Sequence, residues 1–303
     1  MRAIRLRAPG GSEQLFLEEL ETPRPGAGEA LVRVHAAAIT RDELEWPVDR
    51  LPATPSYELS GVIEQVGRGV EHVVAGDAVY ALTGFDRDGV AADYALVRAE
   101  HLAPKPRSLG HVQAAAVPMA GLSAWQGLFD HGRLSEGERV LVHGAAGGVG
   151  HLAVQLAARR GAHVIGTAST SNLDLVRELG AHEVVDHTGT RFEEVVEPVD
   201  VVFDTAGGER LARSLSVVSP GGRLVSIAEE PPPTEERGVR AVYFVVEPSR
   251  EQLAELARLV DAGDLRPAIA EIFPLEEARA AFERGLSGDR RGKIVLSVAG
   301  DDG

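Results

Sequence analysis

A glycine-rich turn between a strand and a helix constrains the fold of this chain more than any other feature. The turn is Gly-Ala-Ala-Gly-Gly-Val-Gly at positions 144–150, and it directly follows the apolar run within Arg139–His143. After the turn, Leu152, Leu156 and Ala157 recur at the spacing of one helix face. A chain that passes from a buried strand straight into a helix predicts the start of a strand–helix–strand unit in a parallel sheet.

Short apolar runs alternate with helix-length segments through the second half of the chain. Strands of a parallel sheet are covered on both faces, so they read as continuous apolar runs. We predict a doubly wound parallel sheet of the Rossmann type, with one helix that ends at Gly161 and another that is capped by Ser249. Its strands are predicted at Arg139–His143, Ala162–Thr167, Glu183–Asp186, Val199–Asp204, Gly222–Ile227 and Arg240–Val246.

The first third of the chain has a different rhythm. Runs rich in β-branched residues are short there, and glycine or proline separates them, which predicts an irregular β-rich domain. A helix near Leu275–Arg284 and a closing strand at Lys293–Val298 complete the chain. The β-rich strands are predicted at Ala30–Ala38, Leu59–Val66, Asp77–Leu82 and Tyr94–Val97.

Charge and composition exclude several classes of function. The formal net charge of −15 disfavours nucleic acid or an anionic membrane as a partner, because both are bound through excess positive charge. The absence of cysteine excludes disulfides, thiolate metal sites and a cysteine nucleophile. No run approaches the length of a membrane span, and the N-terminal residues lack the apolar core of a signal peptide, so a cytoplasmic location is expected.

The glycine-rich turn is also a candidate site for the pyrophosphate of a dinucleotide. Glycine at 147 and 148 lets a phosphate approach the backbone, and Gly150 lets the helix pack closely on the sheet. The phosphates would then lie at the positive end of the helix. The alternative is a glycine-rich turn that holds no ligand. The candidate cofactor-binding residues here are Ala145, Ala146, Gly147, Gly148, Val149 and Gly150.

The end of the second strand bears on the choice between NADPH and NADH. A site that prefers NAD usually has an acid there, which binds the ribose 2′-hydroxyl. The segment Ser169-Thr170-Ser171-Asn172 has none and offers hydroxyls and an amide that can donate to a 2′-phosphate. It also holds no arginine or lysine, and a polar surface loop is the alternative interpretation. NADPH is the expected cofactor.

With these segments in view, the chain resembles the medium-chain dehydrogenase/reductase superfamily, and within it the zinc-independent quinone oxidoreductase branch. The resemblance covers nearly the whole chain. It implies a GroES-like catalytic domain, formed by residues 1–118 and 267–303, and a Rossmann cofactor-binding domain, formed by residues 119–266. Beyond the glycine-rich turn, it rests on Val32–Glu43, Ser56–Val66, Val117–Trp125 and Arg291–Val298.

The resemblance also lets absences be interpreted. In the zinc-dependent branch a Cys, a His and a further Cys or Asp bind the catalytic metal, and the matching positions here are Thr40, Tyr57 and Ala120. None of these side chains can build that site, and no His-Glu-x-x-His pair occurs elsewhere. We therefore expect no metal site.

The same resemblance implies where a reaction would occur. The nicotinamide is expected over Met119–Ser123 near Thr40, with Ser123 and the loop of Phe244, Val245 and Val246 at its carboxamide. Thr40 and Tyr57 are the candidate catalytic residues. Tyr57 would bind the acceptor oxygen or relay a proton to it, and a packed cleft tyrosine is the alternative. Trp46 and Trp125 would either wall the acceptor pocket or belong to the core or to an interface.

The expected function is NADPH-dependent hydride transfer to a quinone without a metal. One alternative is an enone or 2-alkenal reductase, and another is a non-catalytic NADPH-binding redox sensor or scaffold. The partners expected are a small quinone or enone and a second copy of the chain. The last strand, Arg240–Val246, would be an exposed edge that a homodimer covers.

Overall fold

The computed structural model describes residues 1–46, 49–233, 238–286 and 291–299. It has an α/β architecture with two large sheets, as the sequence predicts. The elements of the first part are β1 (Arg2–Leu6), β2 (Leu15–Glu19), β3 (Glu29–Ile39), β4 (Glu58–Val66), β5 (Ala78–Leu82), β6 (Tyr94–Arg98), β7 (Ala103–Pro104), α1 (His111–Ala115) and α2 (Pro118–Trp125).

The second part contains the predicted strand–helix ladder. After α2 a π-helical turn spans Gln126–His131. The elements that follow are β8 (Arg139–His143), α3 (Gly150–Arg159), β9 (His163–Ala168), α4 (Leu173–Glu178), β10 (Glu183–Asp186), β11 (Val199–Asp204), α5 (Glu209–Ser214), β12 (Val218–Ser226) and β13 (Arg240–Tyr243). Within the described residues these strands form one sheet in the order β10-β9-β8-β11-β12-β13, and every pairing is parallel.

The C-terminal elements are α6 (Arg250–Asp261), β14 (Ile269–Pro274), α7 (Ala278–Leu286) and β15 (Lys293–Ser297). Strand β15 pairs antiparallel with β3, so the end of the chain lies in the sheet of the first part. That sheet has the described order β14-β15-β3-β4-β5-β7, and β6 also pairs with β3. As predicted, the hydroxyl of Ser249 caps α6 by accepting a hydrogen bond from the Gln252 N–H, 3.3 Å away.

The predicted end of the last parallel strand is wrong. Strand β13 stops at Tyr243, whereas the sequence favoured Val246. Beyond Phe244 the backbone leaves the strand ladder, and the side-chain amide of Gln126 binds both the N–H and the C=O of Glu247. None of the described helices combines the length and the apolar character that crossing a membrane requires.

Candidate functional site

The glycine-rich turn brings the first turn of α3 to the carboxyl end of β8. Gly144 has φ +68°, in the left-handed region that favours glycine. A Cβ at Gly150 would lie 2.1 Å from the Gly144 carbonyl oxygen, so only glycine lets the helix begin so close to the strand. The order of strands reverses between β8 and β11, which is where open parallel sheets bind ligands. The turn therefore fits a pyrophosphate on the N-terminus of α3.

Three consecutive residues near the C-terminus run along this turn. The Gly292 N–H donates to the Ala146 carbonyl over 2.9 Å, and the Lys293 N–H donates to the Ala268 carbonyl over 2.9 Å. A Cβ at Gly148 would lie 3.0 Å from Cδ of Lys293, so the lysine side chain passes across the turn. Arg291, Gly292 and Lys293 thus connect the parallel sheet with the sheet of the first part.

The first of these three residues, Arg291, contacts the loop Ser169–Asn172, which the sequence predicts to bind the ribose 2′-phosphate. Its Nε donates to Oδ1 of Asn172 over 2.6 Å, and its Nη2 donates to the carbonyl of Ser171. The amide of Asn172 in turn donates to Oγ of Ser169 over 3.0 Å. The loop contains no cation of its own, but the fold supplies one from 119 residues further along the chain.

The same loop contacts an acid, Asp186, at the end of β10. The Thr170 hydroxyl donates to Oδ2 of Asp186 over 2.5 Å, and the hydroxyl and N–H of Thr188 donate to Oδ1. These hydrogen bonds lower the pKa of Asp186 from its ordinary value, and the bond from Thr170 contributes most. The carboxylate is thus already engaged by protein donors.

At the other end, Lys293 reaches Thr40, the residue directly after β3. Its Nζ donates to Oγ1 of Thr40 over 3.3 Å and lies 2.5 Å from Oε1 of Glu58. The Thr40 hydroxyl donates to Sδ of Met119 over 3.0 Å, and the Met119 N–H donates to Oε2 of Glu58 over 2.8 Å. Glu58 is fully buried and Lys293 nearly so, whereas Thr40 is half-buried.

A second buried carboxyl group, Glu43, belongs to this cluster. It accepts from the backbone N–H groups of Thr40 and Ser56, each over 3.0 Å. Burial raises the pKa of Glu43 to about 8, against the opposing charge of Lys293, and the nearby carboxylate of Glu58 adds to the increase. We call the set of Thr40, Glu43, Glu58 and Lys293 the buried ionic cluster.

Tyr57 lies in an aromatic group beside that cluster. Its ring centroid is 5.7 Å from that of Trp46 and 5.2 Å from that of Phe85, and its side chain has no exposed surface. Arg50 donates from Nη2 to the Tyr57 oxygen over 3.2 Å and also to the carbonyls of Phe85 and Arg87. Burial raises the pKa of Tyr57, while the adjacent Arg50 opposes the increase. An acceptor can reach this phenol only if the side chains around it move.

The predicted carboxamide residues lie along α2 and beyond β13. Ser123 is buried within α2. The segment after β13 is bonded, through Glu247, to Gln126 in the π-helical turn that follows α2. The Phe244 ring lies 4.3 Å from that of His131, and both line a surface cavity of about 700 Å³ that Val245 also lines. Val246 is buried, and Trp125 packs edge-on against Phe129, where both rings are partly buried against the core.

The three positions that hold zinc in the zinc-dependent branch do not fit a metal here. The Thr40 hydroxyl lies between Lys293 and Met119, the Tyr57 oxygen accepts from a guanidinium, and Ala120 offers only a methyl group. Histidine, cysteine and carboxylate are the side chains that bind zinc in proteins. Among the residues that the structure describes, no group of three or more His, Cys, Asp or Glu could hold a metal ion.

Sequence reasoning missed four residues of this site: Glu43, Arg50, Arg291 and Lys293. A signal existed for the last two, because Arg291 and Gly292 directly precede the strand predicted to close the chain and Lys293 begins it. In the structure these residues run along the glycine-rich turn, where Gly292 bonds to Ala146 and Lys293 passes Gly148. Glu43 and Arg50 carry no comparable signal, since each acts through residues that are distant in sequence or lie on irregular loops.

Comparisons with known proteins agree with this geometry. Residues 26–107 match the alcohol dehydrogenase GroES-like domain, and residues 179–296 match the zinc-binding dehydrogenase domain. The quinone oxidoreductase of Mus musculus is 32% identical over 98% of this chain and 97% of its own. The chloroplastic NADPH-dependent alkenal/one oxidoreductase of Arabidopsis thaliana is 33% identical over 95% of this chain and 77% of its own. The solved structure of the quinone oxidoreductase from Coxiella burnetii has a TM-score of 0.92 and 32% identity, and 99% of each chain is covered.

Proposed function

Because this chain belongs to the medium-chain dehydrogenase/reductase superfamily, in the quinone oxidoreductase branch, we propose that it transfers a hydride from NADPH to a quinone without a metal ion. The family makes it an oxidoreductase with a nicotinamide cofactor. The observation that carries the proposal is the path of Arg291, Gly292 and Lys293 from the loop Ser169–Asn172, past the glycine-rich turn, to Thr40. The three residues thus contact, in order, the loop proposed for the ribose phosphate, the turn proposed for the pyrophosphate and the residue proposed to lie beside the nicotinamide.

Arg291 supports NADPH over NADH. A guanidinium forms strong charge-assisted hydrogen bonds to phosphate, often two at once. Arg291 already lies against Asn172 and the Ser171 carbonyl, beside the hydroxyls of the same loop. A ribose 2′-phosphate would therefore meet a cation and neutral donors, while the carboxylate of Asp186 is engaged by Thr170 and Thr188.

The donor set at Thr40, Tyr57 and Ala120 supports chemistry without a metal. The bound dihydronicotinamide supplies the hydride, and a quinone accepts it readily because its ring is already electron-poor. The residues of this chain then have three tasks, which are to hold the two rings together, to exclude water and to place a proton near the acceptor oxygen. Hydride addition converts the quinone into a hydroquinone monoanion, and one proton completes the hydroquinone. Thr40 and Tyr57 are the hydroxyl groups proposed for this last step.

The second candidate is reduction of an enone or a 2-alkenal. Its support is the relative named as an alkenal/one oxidoreductase together with the buried ionic cluster. Hydride addition to an activated carbon–carbon double bond leaves an enolate, which needs a proton donor more than a quinone does. A non-catalytic NADPH-binding sensor or scaffold is the third candidate, and the residues gathered around Thr40 disfavour it.

We further propose a homodimer that forms through β13, the edge of the parallel sheet. Tyr243 ends this strand and Val245 lies two residues beyond it, and they are exposed at 41% and 58%. An apolar edge strand of this kind is usually covered in the native assembly. Light scattering at micromolar concentration tests the dimer, and a monomeric mass would rule it out. The cytoplasmic location and the two domain boundaries stay predictions.

The test of the function is an absorbance assay of cofactor oxidation. Purified protein is mixed with NADPH or NADH and with a panel of quinones and enones, with and without a chelator. Chelator-insensitive oxidation of NADPH by quinones, with hydroquinone as the product, is the expected result. A saturated ketone from an enone would favour the second candidate, and binding without oxidation by any acceptor would favour the third. Loss of activity with the chelator would contradict the proposal.

A further inference from the structure

We propose that Thr40 donates the proton to the acceptor oxygen and that Lys293 supplies this proton to Thr40. This inference rests on the proposed hydride transfer and adds to it a named donor and a named source. It is carried by the hydrogen bonds around the Thr40 hydroxyl, by the burial of Lys293 and by the path of Lys293 across the glycine-rich turn.

The Thr40 hydroxyl is directed at a poor acceptor. Its proton faces Sδ of Met119 over 3.0 Å, and a thioether sulfur accepts hydrogen bonds only weakly. The carbonyl oxygen of a substrate, and still more the anion that forms on it, is a far better acceptor. Thr40 is half-buried, so an acceptor can approach it without the rearrangement that Tyr57 requires. The hydroxyl can therefore turn from Met119 to the substrate at little cost.

Lys293 makes that hydroxyl a better acid. Its Nζ donates to Oγ1 of Thr40 over 3.3 Å, so positive charge lies beside the oxygen that must release a proton. The same ammonium is fixed from the other side by Oε1 of Glu58, 2.5 Å away. Glu58 is itself held by the Met119 N–H. The ammonium thus stays in place between the glycine-rich turn and Thr40 while the acceptor binds.

Glu43 is the proposed source of the proton that returns to Lys293. The backbone N–H groups of Thr40 and Ser56 hold its carboxyl group, which is fully buried and close enough to Lys293 for their charges to interact. The high pKa of Glu43 means that this group carries a proton near neutral pH. Two buried carboxyl groups and one ammonium therefore hold one more proton than a simple ion pair does.

The proton transfers balance as follows. The hydride converts a quinone into its hydroquinone monoanion; the O–H bond of Thr40 then breaks as a new O–H bond forms on the acceptor oxygen. Thr40 regains its proton from Nζ of Lys293, and Lys293 regains one from the Glu43 carboxyl group or from solvent. A Glu43 carboxylate formed in this way is reprotonated from solvent before the next turnover. The sum is one hydride and one proton added to the quinone.

The side chain of Lys293 also passes Gly148, so a competing role is contact with the cofactor pyrophosphate alone. A double-mutant cycle separates the two roles, because residues that act in series lose their effects together. The variants are Thr40→Val, Lys293→Met and the combination of the two. Each variant that lacks Lys293 also carries Glu58→Gln, so that no buried carboxylate is left unpaired. Glu58→Gln by itself is measured as a separate control. Thr40→Ser restores the hydroxyl, and the exposed Thr190→Val is the matched control.

For Thr40→Val we expect kcat with quinone to fall about a hundredfold, the usual contribution of a positioned proton donor. The solvent deuterium isotope effect should rise in this variant, while the dissociation constant for NADPH stays unchanged. Loss of Lys293 should lower kcat when Thr40 is present but not when the Thr40→Val substitution is already in place, and Thr40→Ser should recover most of the rate. Unchanged kcat in Thr40→Val, or losses that multiply in the double variant, would overturn the inference. If the wild-type protein fails to oxidise NADPH with every acceptor of the panel, the proposed function itself fails and the relay fails with it.

Discussion

Nζ of Lys293 lies 2.5 Å from Oε1 of Glu58, and both groups are almost entirely inside the protein. Lys293 begins the last strand, β15, and Glu58 begins β4, so the pair joins two strands that flank β3. A buried ion pair adds little net stability, because removing both charges from water opposes their attraction. The pair instead holds the ammonium in place beside the glycine-rich turn and beside Thr40.

Glu58→Gln should therefore destabilise the fold. The substitution leaves the Lys293 ammonium buried without its counter-charge, and we expect the free energy of unfolding to fall by about 3–5 kcal/mol. Urea unfolding followed by circular dichroism measures the loss. The matched control is Glu255→Gln, which removes an exposed ion pair with Arg258 and should change stability by less than about 1 kcal/mol. Equal losses of stability in the two variants would show that the Lys293 ammonium does not need Glu58 as its counter-charge.

Arg291→Gln should weaken NADPH binding and leave NADH binding nearly unchanged. A hydrogen bond to a charged group contributes about 1.5–3 kcal/mol, so the dissociation constant for NADPH should rise about tenfold or more. Fluorescence titration with each cofactor measures both constants. Arg177→Gln on α4 removes an exposed arginine that pairs with Asp174 and serves as the control. An equal loss for NADH and NADPH would place Arg291 outside the 2′-phosphate site.

The sequence predicted more of the parallel sheet than of the site. Strands such as β8 and β11 are covered on both faces, so their apolar runs identify them locally. Gly144 and Gly150 likewise report a local backbone requirement. Arg291 could not be assigned to the loop of Ser171 and Asn172 from the sequence, because that contact exists only once the C-terminal strand crosses the cleft.

The aromatic and ionic contacts were missed for a related reason. Arg50 binds Tyr57 across an irregular loop, and Glu43 binds backbone N–H groups that precede β4, so neither contact follows a helix or strand period. The end of β13 was misjudged because Val245 and Val246 continue an apolar run. In the structure the strand stops at Tyr243, and the backbone of Glu247 bonds to the side chain of Gln126 instead of to a neighbouring strand.

Tyr57→Phe should lower turnover by less than about tenfold and leave NADPH binding intact. The substitution removes one hydrogen bond from Arg50, worth about 1 kcal/mol, while Arg50 keeps the carbonyls of Phe85 and Arg87. The ring stays packed against Trp46. Steady-state kinetics with saturating NADPH measure the change, and Tyr94→Phe, in β6, is the control. Turnover equal to that of the wild type would remove Tyr57 from the mechanism.

Glu43 should make stability depend on pH. Its pKa is about 8 in the folded protein, where burial disfavours the carboxylate, against an ordinary value of 4.5. Between these values the folded state binds a proton that the unfolded chain has released, so its stability decreases as pH rises from about 4.5 to about 8. The groups that face Glu43 are the charges of Lys293 and Glu58 and the N–H groups of Thr40 and Ser56. Below pH 4.5 and above pH 8 the contribution is constant.

Glu43→Gln tests this dependence directly. The amide does not titrate, so the difference in unfolding free energy between wild type and variant isolates the Glu43 contribution from those of other groups. We expect this difference to shift steadily against the wild type across the interval from pH 4.5 to 8. The new amide group can accept only one of the two N–H hydrogen bonds, and this loss adds an offset that does not vary with pH. A difference that stays flat over the whole interval would mean that Glu43 is ionised in the folded protein near neutral pH, and that another group must return the proton to Lys293.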